Sequence, residues 1–191
     1  MHTSASNTEK NKDGLALIWK SILAYAIWTS IRLTFTRLAV LVPVWDSINN
    51  FFASVYIQLA AWTLGLLGHP VLFNTRNILI QGTEGIYVGN HCLGISAGTI
   101  FVLIILLLKG PWKGKLIYGL FGLSIIFLVN WFRVVGLVFM LKYGSKAFFH
   151  FNHSYTYLAL VYGIIFILII YFQNTFSTRY FQPAPPAIDS K

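Results

Sequence analysis

Cys92 is the only cysteine among 191 residues, so it has no partner for an internal disulfide. It serves either as packing, where free cysteine is common, or as a nucleophile. It lies in Asn90-His91-Cys92-Leu93-Gly94-Ile95-Ser96, where a Gly-rich, strand-like stretch gives way to a long apolar run. Two later features favour chemistry. Asn130-Trp131-Phe132-Arg133 sets an arginine inside an apolar helix, and His153 stands just before another. A cysteine at a helix start meets the positive end of the helix dipole, which favours the thiolate. A histidine within reach can take the thiol proton and later hand one to a leaving amine. An arginine can hold a substrate carbonyl or the developing oxyanion. Cys92, His153 and Arg133 together describe acyl transfer through a thioester. Asn130 precedes Arg133 by three positions and so shares its helix face, where it could orient the guanidinium or contact substrate.

Each of these residues also has a plainer reading. Arg133 could snorkel to a membrane interface, although ionisable residues inside a membrane are costly and usually functional. His153 could cap a helix, and His91 and His150 read as bystanders. His91, Cys92, His150 and His153 could instead gather a metal or haem, but no second cysteine or nearby carboxylate supports that, and no cofactor is expected.

The elements that must position these residues are membrane elements. Hydrophobic residues make up 57% of the chain and charged residues only 10%, outside the range of soluble domains, and several apolar runs approach the length of a span. The net charge of +9 does not indicate nucleic acid, because most basic residues flank apolar runs as topology signals do. Residues 1–13 read as a disordered cytoplasmic head. Residues 15–31 form a retained helix that stops near Ile31 or runs on to Pro43. In 45–66, Trp45, Ile48, Phe52, Val55, Leu59, Trp62 and Leu66 recur at three- and four-residue spacing opposite a stripe of Ser47, Asn50, Ser54 and Gln58. That pattern predicts an amphipathic interfacial helix, with a second span as the alternative.

From 71 to 89 the period shortens. Turn signals at 74–77 and 82–85 bracket Ile78-Leu79-Ile80 and precede Ile86-Tyr87-Val88, which predicts a small β-hairpin outside the bilayer. Helices follow over 95–108, about 116–141 and 154–172, with a loop over 142–152. The fold class is therefore an all-α polytopic membrane protein. It has about four transmembrane helices, or five, plus the interfacial helix and the hairpin. A single membrane-embedded domain spans 14–175, and 176–191 is a disordered tail. The loop Lys109-Gly110-Pro111-Trp112-Lys113-Gly114-Lys115 is short and basic, which places it in the cytoplasm. Cys92 is then at the outer end of its helix. Arg133 lies 18 residues after Lys115, about 27 Å along a helix, near the outer edge of a hydrocarbon core of about 30 Å. His153 opens the next inbound helix there.

Cys92-Leu93-Gly94-Ile95-Ser96 after a strand, Asn130-Trp131-Phe132-Arg133, and His153-Ser154-Tyr155-Thr156-Tyr157 opening a helix that continues Val161-Tyr162-Gly163-Ile164-Ile165-Phe166 resemble the exosortase/archaeosortase family. The likeness covers roughly residues 80–175, and the short chain is similar to the compact Bacteroidetes-type members. It implies a cysteine transpeptidase of the bacterial inner membrane, with its site on the extracytoplasmic face. The substrate would be an exported protein whose C-terminal sorting signal joins a short motif, an apolar span and a basic cluster. The family's Cys, Arg and His correspond to Cys92, Arg133 and His153. Many members carry an acidic residue two before the cysteine and a small or polar one after it, where this chain has Asn90 and Leu93. The acceptor (water or a surface amine), the oligomeric state and His150 against His153 as base stay open. So does a reading from another class, a membrane scaffold or transporter subunit with Arg133 lining a polar cavity.

Overall fold

The computed structural model describes residues 3–177. Its first helix, α1, runs Thr3–Arg37. Residues 3–13, expected as a disordered head, therefore extend it; no proline interrupts the chain before Pro43. Serines and threonines in the apolar part donate to carbonyls one turn back, as Ser21 does to Leu17 at 2.9 Å, so their hydroxyls are satisfied without water. A turn over 38–41 leads into α2, Val42–Leu66, with Pro43 in its first turn, where a missing N–H costs nothing.

α2 forms where the amphipathic pattern predicts, and it packs on the protein through a face other than the bulky stripe. The buried positions are Asn49, Ala53, Tyr56, Ile57, Ala60, Ala61 and Leu64, while Ile48, Trp62 and Leu66 are exposed. Small residues let backbones approach closely, and the alanines define that seam. The bulky stripe read from the sequence is the outward one at those three positions. Trp45 closes the gap to α1, its ring 6.0 Å from Trp28 and 5.9 Å from Phe35.

The β region has three strands, not the two of a hairpin: β1 Val71–Phe73, β2 Asn77–Ile80 and β3 Ile86–Tyr87, antiparallel in the order β1-β2-β3. The predicted turns fall between them. Asn74 Oδ1 accepts from the amides of Arg76 and Asn77 at 3.0 and 2.8 Å, an Asx turn. β1 was hidden because it is only three residues long and follows Pro70 directly. After a short 3₁₀ turn over Asn90–Cys92 comes α3, Ile95–Leu107. α4, Trp112–Tyr143, is the longest apolar helix. A Cβ on its Gly122 would overlap the Phe101 ring, so α3 and α4 meet through that glycine.

Where a loop is expected over 142–152, Ser145 caps a short helix, α5, Lys146–Phe151, its hydroxyl accepting from the Phe148 amide at 3.2 Å. A π turn over Asn152–Thr156 joins it to α6, Tyr157–Phe172, which ends in a second π turn over Gln173–Ser177. The helical stretches long and apolar enough to cross a membrane are Gly14–Arg37, Trp112–Tyr143 and Ala147–Phe176. α3, expected as a further span, has 13 residues, about 20 Å at 1.5 Å per residue, short of a hydrocarbon core of about 30 Å. The expected tail beyond Ser177 lies outside the described residues.

Two apolar cores result. One joins α2, the sheet, Cys92, Leu93 and the second half of α4. The other joins Ala24 of α1, α3, the first half of α4 and α6. Cys92 lies in the first core and the Lys109–Lys115 loop at the opposite end of α3.

Candidate active site

Cys92 is 5% exposed and does not open α3, as the sequence reading has it. It closes the 3₁₀ turn, two residues before Gly94, the residue preceding the helix. Gly94 has φ of 68°, and a Cβ there would run into the Asn130 amide. Glycine is thus required twice, for the left-handed backbone and for contact with α4. The thiol faces His153, with Sγ 3.8 Å from Nε2, within hydrogen-bond distance for sulfur.

His153 sits in the π turn between α5 and α6. π turns are rare and frequent at functional sites, where they reset the direction of a side chain. The ring is held by Phe149 one turn earlier, stacked at 5.7 Å with an interplanar angle of 18°. Buried Asn152 fixes the same turn by donating to the Phe148 carbonyl at 2.9 Å.

Arg133 is buried on α4. Its Nη2 donates to the His153 carbonyl at 3.2 Å, and its guanidinium carbon lies 5.5 Å from the centre of the Tyr157 ring. Its Nε–H is buried and has no hydrogen-bond partner among the described residues. Arg133 does not line the cavity that holds the thiol and imidazole. It lines a neighbouring one of about 100 Å³ with Asn90, His91, Ser96, Asn130 and Tyr157. Asn130 is 1% exposed, and its amide donates to the Ile126 carbonyl of its own helix at 2.8 Å. It packs under Gly94 rather than offering that donor to Arg133 or to an outside molecule.

Cys92, His153 and His150 share a cavity of about 320 Å³, bounded by residues 84–88 on one side and by Val134, Leu137, Leu141 and Phe149 on the other. His91 lines other cavities. The His91–Cys92–His150–His153 set weighed as a metal site does not assemble; among the described residues no three His, Cys, Asp or Glu side chains form a metal-holding group.

Sequence reasoning missed Arg76. Its Nε donates to Asn50 Oδ1 on α2 at 2.8 Å, and Nη1 donates to Asn90 Oδ1 at 2.8 Å and to the Val88 carbonyl at 3.2 Å. One guanidinium thus ties α2, the end of β3 and the turn that carries Cys92. The sequence shows Arg76 only as part of a turn signal; nothing local announces partners 26 and 14 residues away. Arg76→Ala is expected to lower stability by about 1.5–3 kcal/mol, the value of one lost hydrogen bond to a charged group. Arg76→Lys recovers only part of this, because an ammonium lacks the planar fork. Unfolding of the purified variants in the same detergent checks both.

A membrane-embedded helical protein with a buried Cys–His pair against a small sheet is the class that this fold and site define. A family match to transmembrane exosortase covers residues 14–171, and the chain belongs to that family. No curated protein and no solved structure matches it.

Proposed function

We propose that this chain is a cysteine-type sorting transpeptidase or peptidase that removes the C-terminal sorting signal of exported proteins. The observation that carries the reading is the 3.8 Å approach of Cys92 Sγ to His153 Nε2 inside a cavity large enough for a peptide segment. His153 Nε2 takes the thiol proton, and the thiolate attacks the scissile carbonyl. The oxyanion collapses, the C–N bond breaks, and the imidazolium gives its proton to the departing amine, which leaves with the apolar span and basic cluster. The acyl group stays on Cys92 as a thioester. Water or a surface amine then attacks it, losing a proton to His153 and returning the thiol. Arg133 holds the His153 turn through Nη2; its buried Nε–H, beside the neighbouring cavity, would reach the scissile carbonyl only if the guanidinium shifts toward Cys92 when substrate binds.

The lipid bilayer and the sorting signal are the partners in this reading, and the bacterial inner membrane is the site. The basic 109–115 segment supports an extracytoplasmic face for the site, since α4, long enough to span, runs from it to Arg133, which bonds the His153 turn. The reading is tested by capturing the acyl-enzyme. Membranes mixed with a sorting-signal peptide and quenched in acid should yield Cys92 carrying the N-terminal fragment, released by hydroxylamine. Recovery of intact peptide and unmodified Cys92 at all times would instead leave the scaffold or transporter reading, with Arg133 lining its polar cavity.

A further inference from the structure

β3 is an edge strand: the order β1-β2-β3 gives it one neighbour among the described residues. Register decides which of its main-chain groups face the open side. Tyr87 is opposite Asn77 and Ile86 opposite Ile78, and the Val88 amide donates to the Arg76 carbonyl at 2.7 Å. Antiparallel partners alternate between pairs that exchange hydrogen bonds and pairs that do not. The Val88 position is bonded to β2, so Tyr87 is not. The N–H and C=O of Tyr87 therefore point away from β2.

That open side borders the nucleophile's cavity. Glu84, Gly85, Ile86, Tyr87 and Val88 line it in unbroken succession, together with Cys92 and His153. Ile86 and Tyr87, the two strand residues among them, point to opposite faces, so a cavity that touches both runs along the edge instead of over one face. The rest of the lining, from Val134, Leu137, Leu141 and Phe149, makes an apolar wall. An extended peptide matches both walls, because its main chain can pair with the strand while alternate side chains enter apolar space. A second sheet does not fit in about 320 Å³, and a lipid tail has no use for an amide and a carbonyl.

We infer that the substrate residues next to the scissile bond bind as a fourth strand on β3, exchanging hydrogen bonds with the main chain of Tyr87. This rests on the acyl-transfer reading above. The side chain of Tyr87 is exposed, so the contact is the backbone's.

The test uses the full chain in detergent and a sorting-signal peptide from a protein processed in the same cells, methylated at one backbone amide at a time. Cleavage should fall about tenfold or more at the one position whose N–H meets the Tyr87 carbonyl and hold at its two neighbours. On the enzyme, Tyr87→Pro removes an N–H that β2 does not use, and an edge strand tolerates proline. It should raise KM about tenfold with the Cys92 alkylation rate unchanged. Cleavage that tolerates methylation everywhere, or falls alike at adjacent positions, overturns strand addition but leaves the acyl-transfer reading intact. A parent peptide that the wild-type enzyme never cleaves sinks that reading, and this inference with it.

Discussion

Cys92→Ala is expected to abolish processing altogether. The chain has no other thiol, and in the proposed mechanism Cys92 Sγ, which His153 Nε2 meets in the cavity, is the nucleophile. Without a thioester there is no acyl group for water or an amine to take. Cys92→Ser should be almost as inactive: a hydroxyl is far harder to ionise, and the only histidine contact it would inherit is a distance set for the larger sulfur. The loss will not come from misfolding. Cys92 contributes one small side chain to a core of many, and no variant of it removes an apolar span. The measurement is the fraction of substrate retaining its C-terminal span in cells expressing each variant at matched levels. Full processing by Cys92→Ala would rule out the thioester mechanism.

The sequence showed the candidate residues more readily than the architecture that holds them. Cys92, Arg133 and His153 stand out because a lone thiol, an intramembrane guanidinium and a histidine at the start of an apolar run are each rare against so hydrophobic a background. Their meeting was expected from helix length and loop charge, with α3 counted as a span that its 13 residues fall short of. What the sequence hid is how they converge. Arg133 reaches the main chain of the His153 turn instead of the thiol's cavity, a distinction of a few ångströms that spacing does not carry. The π turn under His153 has no sequence signature, and Asn152, which pins it, reads as a loop residue. In α2, periodicity located the helix and its outward bulky stripe but not the face that packs on the protein, because close packing selects alanine and leaves no strong periodic signal. Arg76 was illegible for a third reason, because its partners on α2 and beside Cys92 are brought to it only by the folding of the sheet.

His153→Ala should cost on the order of 10²–10⁴ in processing rate, the range for a missing general acid–base. His150→Ala should be mild. Both imidazoles border the same cavity, but His153 is the one 3.8 Å from the thiol, stacked on Phe149 and fixed by the π turn. To act as base its Nε2 must be unprotonated, with the proton on Nδ1. Arg133 tests the geometry further. Arg133→Lys should fail nearly as badly as Arg133→Ala, since an ammonium carries its donors on one atom and lacks the planar fork that sets Nη2 on the His153 carbonyl with Nε apart from it. A buried N–H with no acceptor is an expense in the resting protein. It is relieved if the guanidinium shifts from its neighbouring cavity toward Cys92 and a substrate carbonyl oxygen accepts from Nε, and the relief is greatest as that oxygen becomes charged. If Arg133 acted only through His153, removing it from a His153→Ala background would change nothing. With a donor of its own, Arg133→Ala should slow the His153→Ala enzyme about tenfold more. Single-turnover rates for the two single variants and the double variant measure that coupling. A double variant no slower than His153→Ala would confine Arg133 to positioning. A severe loss in His150→Ala beside a mild one in His153→Ala would move the base to His150.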